Sequence, residues 1–196
     1  MAAGSDGDAE RGRRFREAAL PHLDEVYTLA RYLLRNSADA DDAVQECYLR
    51  AFRHFDSFRG QAIRPWLMAI LRNVCRAEFA RRARFTDADA EFADDASPLW
   101  QEAGGTAETE LIRAQDADKI RALLAELPLL FREAIVLRDI NGLSYREIAE
   151  VIDAPIGTAM SRLARGRSLL RAAWRKSETE PTSAPASEAT IEERSP

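Results

Sequence analysis

Apolar residues recur every three or four positions through two blocks of this chain, from about residue 13 to 85 and from 117 to 176. No strand-like alternation of any length interrupts them. That period marks helices with one buried stripe, so the chain is expected to be all-α. Between the blocks, residues 86–116 carry Asp87, Asp89, Glu91, Asp94, Asp95, Glu102, Glu108, Glu110 and Asp116 against the single base Arg113. Ser97-Pro98 and Gly104-Gly105 break the stretch further. It reads as an acidic linker, with short helical pieces near its end. Residues 1–12 are small and polar, and 177–196 are rich in Ser, Thr, Pro and Glu, so both ends are expected to be disordered.

Composition narrows the class. With 46% hydrophobic residues in 196, the chain can bury one or two modest cores. The N-terminal MAAGSDGDAERGRR is charged and has no apolar centre, unlike a secretory signal. No apolar run approaches the ~20 residues a bilayer span needs, so no stable membrane insertion and a cytoplasmic location are expected. Cys47 and Cys75 lack metal-ligand spacing and fall inside helical patterns, which predicts buried thiols.

In the first block, Leu23, Val26, Tyr27, Ala30, Leu33 and Leu34 mark one amphipathic helix, ended by Asn36-Ser37. Asp39 is placed as the N-cap of the next, which turns Val44, Cys47, Tyr48, Ala51, Phe52 and Phe55 to one side. Asp42, Gln45, Glu46 and Leu49 lie away from that stripe. A third helix is expected to open at Pro65 with Leu67, Ile70, Leu71 and Val74 inward. Arg72, Asn73 and Arg76 cluster roughly opposite, and Arg81, Arg82 and Arg84 close the block.

The second block contains a more specific pattern. Ser144-Tyr145-Arg146-Glu147 is a capping box, and Leu143 and Ile148 are spaced as its hydrophobic staple. Asp153-Ala154-Pro155 then turns the chain into a final helix, so a helix-turn-helix is expected. That final helix carries GTAMSRLARGRSLLR, with Arg162, Arg165, Arg167 and Arg171 and no acid, although the chain as a whole has net charge −5. A nucleic-acid-binding protein needs a basic surface in one place rather than a basic total. At ~100° per residue from Ile156, the residues Ala159, Met160, Leu163, Leu170 and Trp174 form the expected apolar stripe. Thr158, Ser161, Arg162 and Arg165 fall opposite, in the N-terminal half that enters the major groove in such motifs. Arg167 falls on the apolar side, where it must snorkel or reach backbone.

The two blocks together resemble the extracytoplasmic-function (ECF) group of bacterial RNA polymerase sigma factors. DADDAVQECYLRAF (Asp39 to Phe52) is similar to the family's core-polymerase-binding helix. FRGQAIRPWLMAILRNVCRAEFARR (Phe58 to Arg82) is similar to its promoter −10 segment. LPLLFREAIVLRDINGLSYREIAEVIDAPIGTAMSRLARGRSLLR (Leu127 to Arg171) is similar to its −35-reading domain. The resemblance implies a first sigma domain at 13–85, an N-terminal helical bundle for core polymerase and −10 DNA. It implies a second at 117–176, a helix-turn-helix domain for −35 DNA. By the same resemblance Asp42, Gln45, Glu46 and Leu49 bind the polymerase core, and Arg72, Asn73 and Arg76 face −10 DNA. Thr158, Ser161, Arg162 and Arg165 read the −35 element, and an anti-sigma factor is a further expected partner. Gln61-Ala62 departs from the family by shortening the polar turn before the −10 segment.

Two other readings compete. A conventional helix-turn-helix regulator with an N-terminal sensor domain would dimerise on a palindrome. A carboxylate-rich helical enzyme would need Glu-x-x-His pairs on facing helices, and the only histidines, His22 and His54, have no ligand at that spacing. No enzyme activity, cofactor or metal is expected.

Overall fold

The computed structural model describes residues 3–60, 62–85 and 107–179, and every regular element among them is helical. Helix α1 (Ala3–Ala19) leads through one 3-10 turn into α2 (Leu23–Leu34), α3 (Ser37–His54) and α4 (Ile63–Phe85). The second half comprises α5 (Ala107–Glu126), α6 (Leu129–Ile135), a π turn (Val136–Ile140), α7 (Tyr145–Ile152) and α8 (Ile156–Thr179).

Several boundaries differ from the sequence expectation, each for a local reason. Helix α1 takes in residues 3–12, expected to be disordered, and is pinned to the far end of α3. Phe15 meets the rings of Phe52 and Phe55 edge-on, both at 5.3 Å. Arg11 lies over Phe52 at 4.6 Å, donates to the Phe52 carbonyl at 2.6 Å and pairs with Asp56 at 2.8 Å. Phe15 and the guanidinium groups of Arg11 and Arg14, the latter over Phe55, anchor a stretch that has no apolar stripe of its own. The cap of α3 is Asn36, whose side chain accepts from the Asp39 amide at 3.1 Å. The chain reaches Asn36 through Arg35 in a left-handed conformation, φ 65°. Asp39 is thereby freed to pair with Arg82 at 2.5 Å, tying the start of α3 to the end of α4. Helix α4 starts two residues before Pro65, which still lies in the first turn, where a missing N–H costs nothing. Helix α5 reaches back to Ala107, inside the expected linker, and α8 runs on to Thr179. Residues 86–106 and 180–196 lie outside the described residues.

The core crosses from one half to the other. Leu29, Leu33, Leu67, Met68 and Leu71 of the first half join Leu124, Leu137, Leu143, Ile148 and Leu163 of the second in one apolar cluster. Each such side chain contributes about 1.5–3 kcal/mol when fully buried. At the seam α4 packs on α7 and α2 on α6. The π turn shapes this seam. Its wide loop closes with the Asn141 amide donating to Val136 at 2.9 Å, and Gly142 follows at φ +70°, a conformation glycine adopts without strain. Asn141, 7% exposed, donates from its side chain to the Glu25 carbonyl at 2.9 Å, while its own carbonyl accepts from Arg64.

A candidate interface for polymerase and promoter DNA

Helix α3 buries Ala40, Ala43, Val44, Cys47 and Ala51. That leaves Asp42, Gln45, Glu46 and Leu49 together on the outer side, at the i, i+3, i+4, i+7 spacing of one helix face. Leu49 is 51% exposed, between the half-buried Tyr48 and Arg50. Glu46 is held by Arg50 at 2.6 Å. Beside this face a groove of ≈ 300 Å³ runs between α3 and α4, lined by Asp39, Asp42, Glu46, Arg50, Glu78 and Arg81 among others. Arg81 and Arg82 both grip Glu78, and their hydrogen bonds pull its carboxyl down to about 2.

On α4 the three expected −10 residues part company. Asn73 and Arg76 are exposed, but Arg72 is only 8% exposed and bonds Glu133 of α6 at 2.7 Å. The physical reason is that α4 is buried on two sides, by α2 and α3 and by α7, whereas a helical wheel supplies one. Glu133 sits at a focus of positive charge, with Arg72, Arg162 and Arg76 all acting on it. Burial nevertheless outweighs them and pushes its carboxyl above the ordinary range. Arg132 beside it is held down to about 10 by burial, with Arg35 repelling it across the seam.

The helix-turn-helix forms as its residues require. Ser144 accepts from the Glu147 amide at 3.2 Å, and Glu147 accepts from the Ser144 amide at 2.8 Å, completing the capping box. Leu143 and Ile148 are both fully buried beneath it. Asp153 turns the chain at φ 50°, and α8 begins after Pro155. The inward stripe of α8, however, is centred on Ala159, Leu163 and Gly166. A Cβ on Gly166 would lie 3.1 Å from the Phe131 carbonyl and from Ile135, so α8 seats closely on α6 there. Ile156 and Met160, expected in that stripe, are 46% and 50% exposed. Ser161 and Arg165 point outward as expected, while Thr158 and Arg162 are half-buried and Arg162 acts on Glu133. Arg167 neither snorkels nor caps; it pairs with Asp139.

Sequence reasoning passed over Glu133, Asn141 and Arg64, because their roles arise only where the two halves meet. The one available signal was a glutamate inside the apolar run FREAIVL. Both cysteines are buried, with thiols pushed up to about 12 mainly by desolvation, and Cys47 donates to the Leu67 carbonyl at 3.4 Å. Among the described residues no group of His, Cys, Asp or Glu is arranged to hold a metal ion. No helix among them is long and apolar enough to cross a membrane.

Comparison with known proteins agrees with this geometry. The Sigma-70 region 2 family model matches residues 19–85, and the Sigma-70, region 4 model matches residues 117–170. The chain is 38% identical over 157 residues to the ECF RNA polymerase sigma factor EcfG of Rhodopseudomonas palustris, covering 79% of this chain and 80% of that protein. It is 35% identical over 145 residues to the ECF RNA polymerase sigma-E factor of Escherichia coli, covering 68% and 73%. Among solved structures, the sigma factor RpoE of Bartonella quintana, in complex with the anti-sigma factor NepR, superposes with TM-score 0.70 at 28% identity. That match covers 83% of this chain and 98% of RpoE. Two ordered regions, each folded around the predicted recognition elements, leave one conclusion: the chain belongs to the ECF family of RNA polymerase sigma factors, which bind core polymerase and direct promoter-specific initiation.

Proposed function

We propose a division of labour within this sigma factor. Residues 13–85 hold the polymerase core through Asp42, Gln45, Glu46 and Leu49, and meet −10 DNA through Arg72, Asn73 and Arg76. Residues 117–176 read the −35 element from the outer side of α8, with Ser161 and Arg165 as the principal polar contacts. The observation that carries the reading is the outer face of α3, where a half-exposed leucine stands among acids on a helix whose other face is fully used. A partner that covers Leu49 recovers apolar burial, and the acids around it set the register.

The conformation described here is a closed one. Helices α4 and α7 touch, whereas promoter elements two helical turns apart lie ~70 Å from each other. Engaging both therefore requires the halves to separate, and residues 86–106, which precede α5, are long enough to span ~70 Å when extended. Closure also withholds Arg72, so the free protein is a poor DNA binder until polymerase opens it.

An anti-sigma factor is the expected regulatory partner, since RpoE of Bartonella quintana is seen with NepR and CnrH with the cytosolic domain of CnrY. Such a protein acts in the cytoplasm and catalyses no reaction of its own. The deciding experiment reconstitutes the chain with core polymerase and transcribes a library randomised at both promoter elements. Selection of one −10 and one −35 sequence supports the assignment. DNA binding by a dimer without polymerase, on a palindrome, refutes it in favour of a conventional regulator.

A further inference from the structure

The outer side of α8 is not the polar surface its arginines led one to expect. Over the N-terminal part of the helix, before Ser168, Arg171 and Arg175, its exposed face runs from Met160 through Ala164, Gly157 and Ser161 to Arg165. The two large side chains, Met160 and Arg165, stand at the two margins, and small residues fill the middle. The small residues are not imposed by packing at Gly157, where an added Cβ would meet nothing within 4 Å. A helix face of that profile seats deeply in a groove, and its flanking side chains reach the groove floor. Met160 is 50% exposed, so half of an apolar side chain in the first turns of α8 is left to solvent. Arg162, the residue that would otherwise supply a second charge, is half-buried on the side of Glu133.

Resting on the −35 reading above, we infer that Met160 is a specificity residue, its thioether side chain packing on the 5-methyl group of a thymine in the −35 major groove. The major groove presents one apolar feature, the thymine methyl, alongside its donors and acceptors. Methionine is unbranched and polarizable, and it adapts to such an irregular contact. Arg165, at the other margin, addresses a guanine edge or a phosphate. Ile156, one turn earlier and 46% exposed, extends the apolar margin toward the helix start.

The test uses holoenzyme, a −35 element selected from the randomised library, and templates in which each thymine of either strand is replaced in turn by deoxyuridine. Deoxyuridine keeps every hydrogen-bonding edge and removes only the methyl group. Wild type is expected to lose about three- to fivefold in initiation at one position, the effect of unburying roughly one methyl-sized group. Met160→Ala lowers initiation on the thymine template by a similar factor and no longer distinguishes the two templates there. Met160→Leu keeps the distinction, and Arg165→Ala keeps it while changing preference elsewhere. If no deoxyuridine template differs for wild type, or Met160→Ala discriminates as wild type does, the inference falls and the −35 reading stands. If initiation is indifferent to the whole −35 sequence, the −35 reading falls and the inference with it.

Discussion

Arg72 donates from Nε to Oε1 of Glu133 at 2.7 Å, joining the −10 helix to the base of the helix-turn-helix through a pair that water scarcely reaches. A buried pair of this kind adds little net stability over an apolar one, yet breaking it leaves an uncompensated charge, at a cost of about 3–5 kcal/mol. Its position therefore makes it a latch on closure rather than a support for either half.

Glu133→Gln should loosen the seam while leaving each half folded. Small-angle scattering should report a larger radius of gyration, with helix content by circular dichroism near wild type. The double change Arg72→Met, Glu133→Leu should restore compactness, since apolar residues of similar volume replace such pairs without loss. An unchanged radius for Glu133→Gln would mean that the apolar contacts between α4 and α7 hold closure alone.

Glu46→Arg should weaken capture of core polymerase while changing unfolding free energy by under ~0.5 kcal/mol, the usual range for surface sites. The ion pair it removes, with Arg50, is partly exposed and contributes little. Equal recovery of core enzyme by wild type and variant in a pull-down would move the polymerase contact off α3.

Arg165 and Arg175 should separate base reading from charge attraction. In holoenzyme assays Arg165→Ala is expected to remove ~1–3 kcal/mol at particular bases and relax preference there. Arg175→Ala should weaken all promoters alike and lower the salt slope by ~1. Identical base preferences in Arg165→Ala and wild type would leave α8 a phosphate clamp.

Acid should loosen the last turns of α4, where Glu78, Arg81 and Arg82 all lie. The Glu78 carboxyl is held at about 2 by hydrogen bonds from Arg81 and Arg82, below its ordinary 4.5. Because the folded value is depressed, its contribution is present above pH 4.5 and is lost as pH falls toward about 2. Glu78→Gln should therefore melt below wild type at neutral pH, and the gap should close over that acid range. A gap that stays constant with pH would assign the effect to packing.

What could be read from the chain alone was what neighbours in sequence decide. The capping box at Ser144 and Glu147 and the turn at Asp153 depend on residues within a few positions of each other, and they stand as expected. The docking of α1 depends on Arg11 reaching Phe52 and Asp56, some forty positions away, and no local pattern announces it. On α8 the wheel was anchored on the largest apolar residues. Where two helices approach closely, the buried line is instead made of small ones, Ala159 and Gly166. Ile156 and Met160 were consequently placed inside when they face out. Arg72 is buried for a related reason, since the opposite side of α4 meets Glu133 on a helix more than sixty residues further on.

The glycines of α8 give the recognition helix two unequal sides. At Gly166 there is no room for one more carbon without displacing Ile135 or the Phe131 backbone, whereas Gly157 faces open space. Mutational drift at Gly166 is thus policed by folding itself, while on the −35 reading proposed above drift along Gly157, Met160, Ser161 and Ala164 is left to selection on promoters. A sigma factor built this way acquires new target sequences without first losing its structure. Divergence among its descendants should accumulate as an outer stripe on one helix.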